Sequence, residues 1–157
     1  MPRTHLATGI AIRDGRLLMV ASRYPNHGEP LWTLPGGRQL PGELLSETIA
    51  REMLEETGRH AEAREVAYVS ESYDGDVHYL NVTFVLSFDP APVRQADDDG
   101  ADHVVAVEWV PLADVGARMA IAVVREPLLE YLRGGLRKRY AGFHEAGVTI
   151  EWPADSR

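Results

Sequence analysis

Between Gly42 and Thr57 the apolar residues Leu45, Ile49 and Met53 recur at every fourth position, and Gly58 follows where a helix takes a left-handed stop. The spacing predicts one amphipathic helix over about 42–57, with Leu45, Ile49 and Met53 laid against a sheet. The opposite side constrains the chain further. Glu52, Glu55 and Glu56 are spaced i, i+3 and i+4, which places three carboxylates within an arc of roughly 100° on one helix face. Like charges at these spacings cost about 0.2–0.5 kcal/mol per pair. A divalent cation would turn that repulsion into affinity. Taken alone, such a triplet is an ordinary solvated helix face, so its surroundings decide the reading.

Those surroundings are strands. His5 to Ile12 alternates weakly and Leu17 to Ser22 is an apolar run, so a β-hairpin is expected with its turn at Arg13 to Arg16. A loop over Tyr24 to Pro30 leads into an extended Leu31-Trp32-Thr33-Leu34 and a tight turn at Pro35-Gly36-Gly37. After the helix, Val66 to Tyr73 and Val77 to Phe88 flank Asp74-Gly75-Asp76 as a second hairpin, and Val104 to Val110 adds a strand. Asp89 to Asp102 is expected to be an acidic loop, with Asp97 to Asp99 solvated. A second helix is expected over about 121–134, and Val148 to Trp152 as a short edge strand. With 157 residues and no linker-like stretch, one domain spans 1–157.

Composition narrows the chemistry. The chain has no cysteine, which removes disulfides, thiolate metal sites and cysteine nucleophiles, and is compatible with a reducing cytoplasm, the expected location. No apolar run approaches the ~20 residues of a membrane-spanning helix, so no membrane partner is expected. The net charge of −8 disfavours a nucleic-acid partner and repels anionic small molecules alike. A protein of this charge that handles phosphates needs bound cations to reverse the local sign.

The hard oxygen donors of Glu52, Glu55 and Glu56, without nearby His or Cys, suit Mg²⁺ or Mn²⁺. Such an ion polarises a phosphoryl oxygen, neutralises a leaving phosphate and activates water. The glycines of Pro35-Gly36-Gly37 let backbone approach a ligand, and a carbonyl from this turn could reach the metal. Arg51 stands beside the arc, where it could hold Glu43 or Glu52 in one rotamer. Arg23 and Arg38, near the glycine turn, are candidate phosphate contacts. Trp32, Tyr73, Tyr79 and Phe84 are aromatic residues on strands, core first and base-stacking candidates second. The six histidines show no metal-binding pairing.

Gly37, five residues, Glu43, seven residues, then Arg51-Glu52-Met53-Leu54-Glu55-Glu56-Thr57-Gly58 resembles the Nudix box. Seven fixed identities match; at about 7% per position, chance would give this on the order of once in 10⁸ windows. The Leu34-Pro35-Gly36 lead and the Trp109-Val110-Pro111-Leu112 segment are also similar to the family.

The resemblance implies an α/β fold, an α/β/α sandwich around a central mixed β-sheet, and a hydrolase that cuts a phosphoanhydride bond in a nucleoside diphosphate linked to another group. The substrate would be a small nucleotide such as a nucleoside triphosphate, sugar nucleotide or dinucleotide. The resemblance further implies Glu55 and Glu56 as metal ligands, Glu52 as ligand or base, Gly37 as a backbone-carbonyl ligand, and Glu43 and Arg51 in support. A homodimer is the family habit. Two positions depart from the pattern. Arg59 stands where an apolar residue is usual, which should loosen packing at the helix exit. Asp102-His103 stands where many members carry a further glutamate, leaving Glu52, Asp102 and His103 as alternatives for the general base. A catalytically silent nucleotide-sensing module is the alternative reading, against which the intact carboxylates argue. An isoprenoid diphosphate isomerase would require a cysteine. The proline of ADP-ribose hydrolases and the arginine-rich pattern of coenzyme A hydrolases are both absent.

Overall fold

A computed structural model of the chain describes residues 2–94, 103–134 and 139–153. The strands are β1 (Arg3–Ile10), β2 (Ile12–Arg13), β3 (Arg16–Ser22), β4 (Leu31–Thr33), β5 (Gly36–Arg38), β6 (Ala61–Asp74), β7 (Val77–Phe88), β8 (Val104–Pro111) and β9 (Tyr140–Phe143). The helices are α1 (Leu45–Thr57), the single turn α2 (Val115–Arg118) and α3 (Ala122–Leu132).

The expected first hairpin forms only at its tip. Asp14 and Gly15 both take positive φ, 52° and 73°, and pair Ile12 with Leu17 and Arg13 with Arg16. Upstream the chain leaves β3 altogether: β1 runs parallel to β7 and antiparallel to β5. The weak alternation of His5 to Ile12 conceals this change of sheet. The result is a mixed five-stranded sheet in the order β5-β1-β7-β6-β9, beside a smaller antiparallel sheet in which β3 pairs with β2, β4 and β8. The second hairpin is as expected, with β6 reaching back to Ala61.

β3 lies between two hydrophobic layers. Leu17 and Met19 belong to a cluster with Tyr68, Val110, Val115, Met119 and Leu128, which is the α2/α3 side. Leu18, between them, packs with Ala7, Ile49, Met53 and Leu86 on the α1 side. Strict alternation along a buried strand therefore serves two cores, as a sheet covered on both faces requires. This is the α/β sandwich with a mixed sheet that the sequence led us to expect.

The helix α1 begins at Leu45, later than Gly42. Glu47 sets its start by accepting the Leu44 N–H at 2.8 Å, half of a capping box. It ends on Gly58, whose φ of 72° is left-handed and whose N–H returns to the Leu54 carbonyl. Ile49 and Met53 are fully buried, and Leu45 partly so.

Two further expectations change, and a third lies mostly outside the described residues. Pro35-Gly36-Gly37 is not a turn: Gly36–Arg38 is strand, paired to Leu6–Thr8 of β1. Its hydrogen bonding to β1 was invisible to a local reading of two glycines. Val148 to Trp152 is not a strand; the edge position belongs to β9, parallel to β6. Of the acidic loop, residues 95–102, including Asp97 to Asp99 and Asp102, lie outside the described residues. Among the described residues no helix is long and apolar enough to cross a membrane.

Candidate active site

α1 and β5 build the site together. β5 lies across the inner face of α1, so closely that a Cβ on Gly37 would stand 2.5 Å from Glu52 Oε1. Gly36 is tighter still. Its φ of 154° is disfavoured for other residues, and a Cβ there would meet the Ala7 carbonyl oxygen at 2.2 Å. Its N–H donates to Glu56 Oε1 at 2.8 Å. The glycine strand thus clears space for one carboxylate and holds another.

All three helix carboxylates are buried: Glu52 is 5% exposed, Glu55 6% and Glu56 2%. That exposure decides against a solvated face, because unpaired charge this deep is strongly disfavoured. Arg51 supplies part of the compensation. Its Nη1 donates to Glu52 Oε1 at 2.8 Å and to Glu55 Oε2 at 3.2 Å. Its Nε and Nη2 grip Glu43 at 2.6 and 3.0 Å, and Nη2 also donates to the Arg38 carbonyl at 3.0 Å. The sequence offered Glu43 or Glu52 as the partner of Arg51; the structure brings Arg51 to Glu43, Glu52 and Glu55 at once.

Glu43 is itself fixed by the Leu40 N–H and the Thr48 hydroxyl. Hydrogen bonds from Arg51 hold its carboxyl down at about 2, against an ordinary 4.5. Glu56 moves the other way. Burial first, then the neighbouring charges of Glu52 and Glu55, raise its pKa well above the usual carboxylate range, opposed by the Gly36 N–H and Arg51. Beside it, burial and the Glu56 charge push the Tyr24 hydroxyl up to about 12.

Among the described residues no three His, Asp or Glu side chains form a ready-made metal cage. The donor set nevertheless fits a hard cation of the Mg²⁺ type, which takes one or two carboxylates and fills its remaining positions with water and phosphate oxygens. A buried carboxylate whose pKa is raised by burial and by two carboxylate neighbours, as for Glu56, is the electrostatic signature of a site that a cation would relieve.

A family model for the NUDIX domain matches residues 3–132. The chain belongs to the NUDIX domain family. Its relatives include an ADP-ribose pyrophosphatase from Methanocaldococcus jannaschii, 30% identical over 92 residues, 57% of this chain and 54% of that protein. A nucleoside diphosphate-linked moiety X motif 6 protein from Xenopus laevis is 23% identical over 137 residues, 87% of this chain and 61% of that one. The chain thus spans little more than half the length of these relatives. A NUDIX hydrolase from Nitrosomonas europaea superposes with a TM-score of 0.72 at 22% identity, covering 89% of this chain and 93% of that one, which is a likeness of fold.

The remaining NUDIX-box expectations divide. Arg59 does not loosen the helix exit. Its Nε donates to the Pro90 carbonyl and its Nη1 to the Thr57 carbonyl, both at 3.0 Å, while its guanidinium lies 5.7 Å from the centre of the Trp109 ring. A long side chain with an apolar stem covers the position an apolar residue would fill. Arg38 is half-buried on β5, its guanidinium 4.5 Å from the centre of Trp152. Arg23 is exposed, and its backbone N–H donates to the His103 carbonyl. The His103 ring lies 6.2 Å from that of Tyr24, which places it near the Glu56 end of the site.

Of the four aromatic candidates, only Tyr79 borders the cavity that opens beside Gly36 and Gly37. Trp32 packs under Arg118, Tyr73 stacks on His78, and Phe84 joins the α1-side core. Tyr24 and Trp152, which the sequence did not single out, line the cavity instead. Trp152 was legible only as part of a supposed edge strand, and Tyr24 only as the start of a loop.

Proposed function

We propose that this chain is a hydrolase that cleaves a phosphoanhydride bond in a small nucleotide, a nucleoside diphosphate linked to a further group. The observation that carries this reading is the burial of Glu52, Glu55 and Glu56 together beside the β5 glycines, within a NUDIX domain. Glu55, Glu56 and Glu52 would hold Mg²⁺ or Mn²⁺, with the Gly37 carbonyl as a backbone donor. When bound, the cation supplies charge neutralisation at the leaving phosphate and acidifies water.

The chain's own residues do the positioning. Arg51, anchored on Glu43 and the Arg38 carbonyl, orients Glu52 and Glu55. The Gly36 N–H aims Glu56. Glu52, against the uncovered face of Gly37, and His103, beside Tyr24, are the described candidates for taking a proton from the attacking water.

The test is phosphate or nucleotide release from nucleoside triphosphates, ADP-ribose, sugar nucleotides and dinucleoside polyphosphates with Mg²⁺ or Mn²⁺, comparing wild type with Glu56→Gln. Metal-dependent turnover lost in the variant supports the reading. Tight nucleotide binding without turnover on any substrate would overturn it in favour of a sensing module.

A further inference from the structure

The NUDIX match ends at Leu132, yet the described chain continues over 139–153 and returns to the site. After β9 it crosses the open side of the sheet and is tied down along its length. Ala146 N–H donates to the Tyr73 carbonyl at 2.7 Å and Ile150 N–H to Asp74 Oδ2 at 3.0 Å. From the other side, Asn26 clasps the segment, donating to the Thr149 carbonyl at 2.6 Å and accepting the Glu151 N–H at 3.1 Å. These bonds deliver Trp152 to the cavity. Its Nε1 donates to the Tyr79 hydroxyl at 3.1 Å, its ring meets Tyr24 edge-on at 6.0 Å, and Arg38 covers its face.

The cavity that Trp152 walls on one side, open towards the β5 glycines, has a volume of about 160 Å³. A cavity of roughly 150 Å³ accommodates one benzene-sized ring. Gly36 and Gly37 border this space, so it is continuous with the carboxylate site. Its aromatic walls, Tyr24, Tyr79 and Trp152, suit a planar heterocycle. Asn81 also lines it: its Nδ2 donates to the Thr83 and Ser70 hydroxyls, and its Oδ1, which accepts from the Thr8 hydroxyl, keeps a second lone pair for a base.

We propose that this cavity is a nucleobase site sized for a single six-membered ring, and that Trp152, carried by the segment beyond the NUDIX match, makes the chain select pyrimidine over purine nucleotides. The inference rests on the nucleotide reading above and names the substrate class for that site.

Equilibrium binding of CMP, UMP, AMP and GMP by calorimetry tests it without requiring turnover. Wild type should bind the pyrimidine monophosphates about tenfold or more tightly than the purine ones, the discrimination a filled pocket exerts against extra atoms. Trp152→Ala should bring the ratio below about threefold by admitting purines, and Trp152→Phe should keep most of it. The His27 ring also meets the Thr149 carbonyl, at 2.9 Å, so the double variant Asn26→Ala/His27→Ala removes the loop's whole hold on the segment without touching the cavity, and should loosen Trp152 and shift the ratio in the same direction even if Trp152→Ala fails to fold. Equal or tighter purine binding by wild type, a ratio unmoved by the double variant, or no binding of any of the four overturns the proposal. A chain that discriminates without hydrolysing anything refutes the hydrolase alone, and one that hydrolyses without discriminating refutes the base site alone.

Discussion

Arg51 Nε donates to Glu43 Oε2 at 2.6 Å, joining the second turn of α1 to the residue just ahead of its N-cap, Leu44. Through that bond the loop after β5 governs the guanidinium that orients Glu52 and Glu55.

The pair has a pH signature. The Glu43 carboxyl is depressed from 4.5 to about 2 in the folded chain, so its ionised form stabilises the fold above 4.5 and that contribution is lost as pH falls towards 2. Glu43→Gln should be less stable than wild type by about 1.5 kcal/mol near neutrality, the worth of hydrogen bonds to a charged group. Urea denaturation at stepped pH should show the gap constant above pH 5 and narrowing below about 4.5. A gap independent of pH would mean that the ion pair contributes nothing beyond the hydrogen bonds an amide can keep.

The two glycines of β5 should fail in different ways. A methyl at Gly37 meets the far end of the Glu52 side chain, which can swing aside, so Gly37→Ala should melt close to wild type. The displaced carboxylate should nevertheless cost on the order of 10²-fold in kcat/KM. A methyl at Gly36 meets backbone in a conformation closed to alanine, so Gly36→Ala should lose about 3 kcal/mol or more of stability. Thermal melts alongside steady-state kinetics separate the two.

Glu56→Gln should show which way the buried charge acts. With its pKa raised by burial and by Glu52 and Glu55, an ionised Glu56 is a burden on the metal-free fold. In chelator the variant should therefore melt at or above the wild-type temperature. Mg²⁺ should then raise the wild-type melting temperature, by about 2.7 kcal/mol of stability at a hundredfold excess over its Kd, and leave the variant nearly unmoved. An equal shift in both would place the ion elsewhere.

Arg59→Ala should cost about 1 kcal/mol in chemical denaturation, since it removes two hydrogen bonds to carbonyls and the cover over Trp109. A stabilised variant would restore the view that arginine is a misfit there.

Much of the candidate site was legible in sequence because its residues lie within one turn or two of each other, although only the resemblance to the Nudix box distinguished them from a solvated helix face. The spacing of Glu52, Glu55 and Glu56 and the stop at Gly58 are local facts, and burial only sharpened them. Individual strands and helices were open to periodicity, but the fold class came from the resemblance of Gly37 to Gly58 to the Nudix box. What escaped was pairing at a distance. Nothing near Gly36 announces that it lies against Thr8, and nothing near His5 announces that β1 pairs with β7. The cavity is the extreme case: its walls come from Tyr24, Tyr79 and Trp152, and no local rule unites residues so far apart.

The alternation along β3 sets how this chain can change length. Leu17 and Met19 face one layer and Leu18 the other, so adding or deleting one residue there would exchange the clients of the two cores and put every later side chain on the wrong side. A few residues on, the exposed stretch around Pro25, Asn26 and Gly28 has no such parity to keep. Length variation among related chains should therefore gather in that loop, and β3 should act as a ruler whose marks cannot be moved singly.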